Sequence, residues 1–148
     1  MAYLLDTNIV VHLVRNSIKG ADIEQKFGLF HSDQRIYISA VSKGEILSFA
    51  KQAAWGKPKM NRLFSLLESM PSVPVDGNSP LMDAYADLDA FSQGKHPDYP
   101  LPPASTARNM GKNDLWIAAT AFLMDIPLLT TDHDFQHLHP NFIIVHQV

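Results

Sequence analysis

The chain has 148 residues, 46% of them hydrophobic and 18% charged, which fits a single globular domain over residues 1–148 with a sizeable core. It has no cysteine, which excludes disulfides and thiolate metal sites, and its net charge of −3 excludes a global basic field that would draw in nucleic acid. No segment approaches the roughly 18 apolar residues of a membrane helix, and the opening run MAYLLDTNIVVHLV has no basic leader or cleavage signal, so a cytoplasmic protein is expected.

In chain order, AYLL forms a short strand that stops at Asp6. TNIVVHLVRN takes helical spacing, with Ile9, His12 and Leu13 on one side and Val10 and Val14 beside it; His12 on that face reads as a core histidine. A second helix is expected over Asp22–Phe30. RIYIS is a strand by its β-branched and aromatic content, and AVSKGEILSFAKQAA is a helix after Ser39. Lys57-Pro58-Lys59 breaks the pattern ahead of an amphipathic helix over Asn61–Met70, and PSVPVDG holds a short strand. Ser79 is placed to cap the next helix, with Pro80 at its first position and Leu81, Ala84, Tyr85, Leu88 and Phe91 as its stripe. Residues 92–112 have no period and are rich in Pro, Gly and polar residues; a loop of that length is usually functional or disordered. In NDLWIAATAFL, Leu115, Ala118, Ala119, Phe122 and Leu123 line one helical face, and Trp116, Ile117 and Ala121 make the others apolar, so a deeply buried helix is expected. IPLLTTD is a strand, DFQHL a turn or short helix, and FIIVHQV a last strand. Strands alternating with helices predict a three-layer α/β/α fold on a mostly parallel sheet.

In such sheets ligands bind outside the carboxyl ends of the strands. Asp6 and Asp132 sit where strands stop, Asp114 opens the helix that feeds the strand before Asp132, and Glu45 lies early in the helix after RIYIS. Each has a bland explanation: an Asx-turn for Asp6, a capping box in Ser42-Lys43-Gly44-Glu45, a helix N-terminal charge for Asp114, a turn for Asp132. Together they predict four carboxylates at one end of the fold. Such groups repel, and a hard divalent cation such as Mg²⁺ or Mn²⁺ relieves the repulsion. That site would activate water and neutralise charge on a phosphodiester.

The charge is uneven: between positions 43 and 62 stand Lys43, Lys51, Lys57, Lys59 and Arg62 against Glu45 alone. The run fits either solvated helix faces or a phosphate-binding patch, and Trp55 beside it suits either base stacking or a partner interface. Trp116 and Phe122 read as core or dimer-interface residues, and Met60 and Met70 as packing.

LLDTNIVVHL, SAVSKGEIL, NDLWIAATAFL and PLLTTDHDF, in that order, resemble the PIN-domain ribonucleases, and most closely the VapC-type toxins of toxin–antitoxin pairs. The resemblance implies that Asp6 and Asp114 are the main metal ligands and that Glu45 and Asp132 form a second pair, binding metal or orienting the attacking water. It implies accessory roles for Asn8 and Thr130. Asp134 matches a frequent further aspartate of the last motif, or stabilises the turn. The implied reaction is metal-dependent endonucleolytic cleavage of RNA without a covalent enzyme intermediate. The implied partners are a second copy of the chain in a homodimer and a cognate VapB-like antitoxin covering the acidic pocket. The 92–112 stretch is longer than the family's usual connection and is expected near the site mouth. The acidic net charge leaves phosphate contacts to Lys51, Lys57, Lys59, Arg108 and Lys112.

Other readings compete. A haloacid-dehalogenase-type phosphohydrolase needs an acid two residues after its first Asp, where this chain has Asn8. A zinc site on His133, His137 and His139 lacks an HExxH motif. A PIN fold serving as an inactive scaffold is disfavoured by the presence of all four acids, and a housekeeping PIN nuclease remains an alternative to a toxin.

Overall fold

The computed structural model describes residues 1–77 and 79–148, and of Ser79 only the backbone. The strands are β1 (Ala2–Leu5), β2 (Arg35–Ser39), β3 (Ser72–Val73), β4 (Leu128–Thr130) and β5 (Val145–Gln147). The helices are α1 (Thr7–Arg15), α2 (Ile18–Phe27), α3 (Ala40–Gln52), α4 (Lys57–Ser69), α5 (Ser79–Ser92) and α6 (Lys112–Met124), with a 3-10 helix over His133–Leu138. The capping role expected of Ser79 lies outside the described residues.

The strands form one sheet in the order β3-β2-β1-β4-β5, and every described pairing is parallel. Side chains on a strand alternate between faces, and the alternation sorts them into two cores. Tyr3, Leu5, Ile36, Ile38 and Leu129 join Ile9, Val10, Val14, Ile23, Ile46 and Leu63 on one face. Leu4, Leu128 and Val145 join Leu88, Phe91, Leu115, Ile117 and Phe135 on the other. The result is the three-layer α/β/α arrangement, with β1 at its centre. From β1 the chain builds outward to β2 and β3, then crosses back to place β4 on the other side of β1. The strand order reverses between β1 and β4, and the crevice beyond their carboxyl ends is where such a sheet offers a binding site.

Several boundaries differ from those the sequence predicts. α2 starts at Ile18 rather than Asp22, because the Ser17 side chain accepts a hydrogen bond from Gly20 N and caps it there. Pro58 does not break a helix but lies in the first turn of α4, where its missing N–H costs nothing. α6 is buried from Leu115 to Ala121 except for half-buried Trp116, but Phe122 and Leu123 at its end are 41% and 44% exposed, so the helix is not buried all round.

The 93–111 connection is ordered against the α5–α6 face. Arg108 N donates to Ser92 O at 2.7 Å, Ser92 Oγ pairs with His137 Nε2 at 2.7 Å, and Met110 is buried. His96 Nε2 meets Asp87 at 3.0 Å, and Tyr99 packs edge-on to Phe142. Its last residue, Gly111, lies beside the Asp114 carboxylate: a Cβ there would be 3.8 Å from Asp114 Oδ2.

Candidate active site

Asp6 follows directly from β1 and is the N-cap of α1, its side chain accepting from the first turn. Asp6 as a whole is 5% exposed. Oδ1 accepts from Thr7 N at 2.7 Å, and Oδ2 accepts from Thr130 Oγ1 at 2.7 Å. Thr130, the last residue of β4, also accepts at Oγ1 from Asp132 N at 3.0 Å. One buried hydroxyl therefore fixes the ends of the two strands at which the sheet reverses. Asp132 caps the 3-10 helix by accepting at Oδ1 from Asp134 N at 2.9 Å.

Glu45 comes from the second turn of α3. The capping box expected around it does not form, because Ser39, not Ser42, caps the helix by accepting from Val41 N. Glu45 is free to face the crevice instead. Its Oε1 accepts from Thr7 Oγ1 at 2.9 Å and its Oε2 from Asn113 Nδ2 at 3.4 Å. Asp114 sits in the first turn of α6, where the helix N-terminus favours negative charge. Oxygen atoms of Asp114, Asp132 and Asp134 lie within 4.8 Å of one another.

The electrostatics follow from that crowding. Burial pushes the Asp114 carboxyl up to about 6, and the negative charges of Asp6, Asp132, Glu45 and Asp134 push in the same direction. Asp6 is raised too, first by burial; the hydrogen bonds from Thr130 and Thr7 oppose the shift, while Glu45 and Asp132 add to it. The four acids picked out by the sequence thus lie at one end of the sheet, with Asp134 as a fifth.

Asp134, read from the sequence as a further aspartate of the last motif or a turn residue, thus stands with Asp114 and Asp132, and both Asp6 oxygens accept hydrogen bonds. Asn8 is exposed on α1. Its neighbour Thr7, together with Asn113, makes the polar contacts to Glu45. Neither stands out in the sequence, although both adjoin a carboxylate in the motifs DTN and NDL.

A groove of about 620 Å³ opens beside Glu45, lined by Thr7, Val41, Gly44, Ser48, Phe49 and Asn113 among others. Lys51 and Lys57 are exposed at the far end of α3 and the start of α4. Lys59 lies over the half-buried Trp55 ring at 5.3 Å, and Arg15 lies over Phe49 at 5.2 Å and Trp55 at 5.9 Å. Trp55 therefore already has two cations over its ring and the Phe49 edge at 5.8 Å. Arg108 and Lys112 flank the turn into α6.

The histidines of the disfavoured zinc reading form no metal-binding group among the described residues. His137 Nε2 pairs with Ser92, His139 Nδ1 accepts from Val145 N, and His133 Nδ1 pairs with Gln147. Burial, with Arg108 nearby, lowers His137 to about 4, so it is neutral near pH 7. No helix among the described residues is long and apolar enough to cross a membrane.

No curated protein matches the chain in sequence. Solved structures match its whole length. VapBC2 from Rickettsia felis, bound to a DNA fragment from their promoter, aligns at TM-score 0.74 and 19% identity, covering 100% of this chain and 99% of that one. VapBC-1 from nontypeable Haemophilus influenzae aligns at 0.68 and 22%, covering 99% and 98%. VapBC-5 from Mycobacterium tuberculosis, described as a member of the VapBC family of toxin-antitoxin systems, aligns at 0.60 and 23%, covering 99% and 98%. At these identities the likeness is one of fold. The sequence pattern of the PIN domain matches residues 3–139, which takes in every carboxylate described above, and the chain belongs to the PIN domain family.

Proposed function

We propose that this chain is a VapC-type toxin: a Mg²⁺- or Mn²⁺-dependent endoribonuclease acting in the cytoplasm as one domain. The observation that carries the reading is the meeting of Asp6, Glu45, Asp114, Asp132 and Asp134 at the point where the strand order reverses. Their donor set fits a hard divalent cation. The oxygens of Asp114, Asp132 and Asp134 are close enough to share one ion, and burial, with the neighbouring negative charges adding to it, disfavours the Asp114 charge, a penalty that a cation would relieve. When bound, the ion would supply charge neutralisation at the phosphodiester and an acidified water.

The protein's own part is placement. Asp6 is held on both oxygens, which fixes the rear wall of the site. Glu45, steered by Thr7 and Asn113, faces the groove and is suited to orient the attacking water as a base. α6 presents Asp114 from a rigid, buried helix.

The toxin assignment is supported by the resemblance along the chain and by the VapBC structures it resembles in fold, which also support a VapB-like antitoxin partner. Exposed Phe122 and Tyr99, beside half-buried Phe142 around a hollow of about 410 Å³, support a homodimer or another protein contact on the face away from the carboxylates.

The test is to incubate labelled cellular RNA with the protein, with and without Mg²⁺, beside Asp6→Asn and Asp114→Asn. Cleavage that needs Mg²⁺ and is lost in both variants is expected. Cleavage without metal, or full activity in both variants, would overturn the mechanism. Growth arrest on expression that disappears in the same variants distinguishes a toxin from a housekeeping nuclease.

A further inference from the structure

Two glycines sit inside helices with opposite surroundings. A Cβ on Gly20 of α2 would lie 2.4 Å from His12 O, so the close approach of α1 and α2 requires that glycine. A Cβ on Gly44 of α3 would meet nothing within 4 Å, and its φ is not positive. Neither packing nor backbone conformation therefore calls for glycine at position 44, and glycine within a helix is destabilising relative to alanine. A bare backbone at an open surface leaves room for the close approach of another molecule. Gly44 lines the groove that begins at Glu45.

The rest of that face is built for a flat, partly polar guest. Gly44, Ser48 and Gln52 form one i, i+4, i+8 row, and Val41, Glu45 and Phe49 form the row beside it. The Gln52 amide donates to Ser48 Oγ at 2.9 Å, so donors and acceptors stand together on the groove wall. Phe49 is 37% exposed; Arg15 lies 5.2 Å from its ring centre and the Trp55 ring packs T-shaped against it at 5.8 Å, so only the ring surface left open to the groove is available. A phosphodiester at the carboxylates brings its neighbouring nucleotides with it, and this groove is continuous with Glu45 and Asn113.

We propose that the α3 face is a nucleotide subsite: a single-stranded RNA nucleotide next to the cleaved bond lies across Gly44, stacks its base on Phe49, and meets Ser48, Gln52 and Asn113 with its edge. Base stacking on an aromatic ring beside a cation is how single strands are gripped without a deep pocket. The proposal rests on the nuclease reading, but its test separates the two.

Gly44→Ala and Phe49→Ala are made in the wild-type chain and in an Asp114→Asn background in which cleavage is off. Thermal midpoints, cleavage of an RNA pool and anisotropy of a short fluorescein-labelled RNA of mixed sequence are then measured. Gly44→Ala is expected to raise the midpoint by about 3 °C while weakening RNA binding and cleavage by about tenfold. Phe49→Ala is expected to weaken both similarly, and Phe49→Tyr to keep them. RNA binding that depends on Gly44 in a chain that never cleaves would sustain the subsite and refute the nuclease. Gly44→Ala that binds and cleaves like wild type would overturn the subsite and leave the groove to a protein segment. A lowered midpoint would assign Gly44 to packing and overturn it too, and so would a wild-type chain that neither binds nor cleaves RNA.

Discussion

Thr130 Oγ1 donates to Asp6 Oδ2 across 124 positions of sequence, while the same oxygen accepts from Asp132 N. The hydroxyl thus supports a carboxylate that burial would otherwise drive towards its neutral form. Removing it affects both stability and the charge state of the site. Thr130→Val keeps the shape and deletes the donor, leaving a buried acceptor short of a partner at about 1–3 kcal/mol in denaturant unfolding. It also raises Asp6 further, so weaker Mg²⁺ affinity at pH 7 is expected by calorimetry, with recovery in Thr130→Ser.

Asp114 gives a pH signature. Its pKa of about 6 in the fold lies above the ordinary 3.8, so the folded chain holds that proton more tightly than the unfolded one. The stability it contributes is present below about pH 4 and is lost as pH rises through about 6. His137, lowered to about 4, acts the opposite way, losing stability as pH falls below 6.5, so the useful quantity is a difference between variants. In a metal chelator at pH 7.5, Asp114→Asn is expected to melt above wild type, with the gap closing towards pH 4.5. A gap that stays constant over that range would mean that burial and the neighbouring acids do not disfavour the Asp114 charge.

Addition of Mg²⁺ is expected to reverse the order at pH 7.5. An ion bound by the folded chain would raise the thermal stability of the wild type, whereas Asp114→Asn is expected to gain little. The gain shrinks at pH 5.5, where protons compete for the same oxygens. Equal Mg²⁺ shifts in both proteins would remove Asp114 from the ligand set.

Ser92 is one tie of the ordered 93–111 connection: its Oγ pairs with His137 and donates to Met110 Sδ at 3.3 Å, and its carbonyl accepts from Arg108 N. Ser92→Ala leaves the His137 Nε2 without that partner, and a loss of about 1–3 kcal/mol is expected in denaturant unfolding. Limited proteolysis should then cut between residues 94 and 108 faster than in wild type. Unchanged cleavage would mean that Tyr99, Leu101 and Met110 hold the segment on their own.

Lys51, Lys57 and Lys59 carry the outlying positive charge beyond the groove. Replacing all three by Gln should reduce the salt slope of RNA binding by about 0.7 for each phosphate that is no longer neutralised. An unchanged slope would leave the phosphates to Arg15, Arg108 and Lys112.

Much of this molecule was decided locally. An apolar run for β1, β-branched and aromatic content for β2, and helical runs for α1 and α3 place those elements to within a residue or two, because local composition and spacing carry side-chain burial. The ends of those runs also place Asp6, Glu45, Asp114 and Asp132 at element termini, and their convergence follows from the rule that helices entered from strand ends share one side of the sheet. What the spacing could not carry was contact between distant segments. Whether Ser39 or Ser42 caps α3 decides whether Glu45 turns inward or faces the groove, and a difference of one helical turn is invisible in composition. Thr7 and Asn113 reach Glu45 from 38 and 68 positions away, and Asp134 approaches Asp114 only because a 3-10 helix turns it there. The empty space beside Gly44 is likewise a property of the packed helices: the sequence shows that a side chain is missing, but only the tertiary structure shows that no described residue comes within 4 Å of where it would stand.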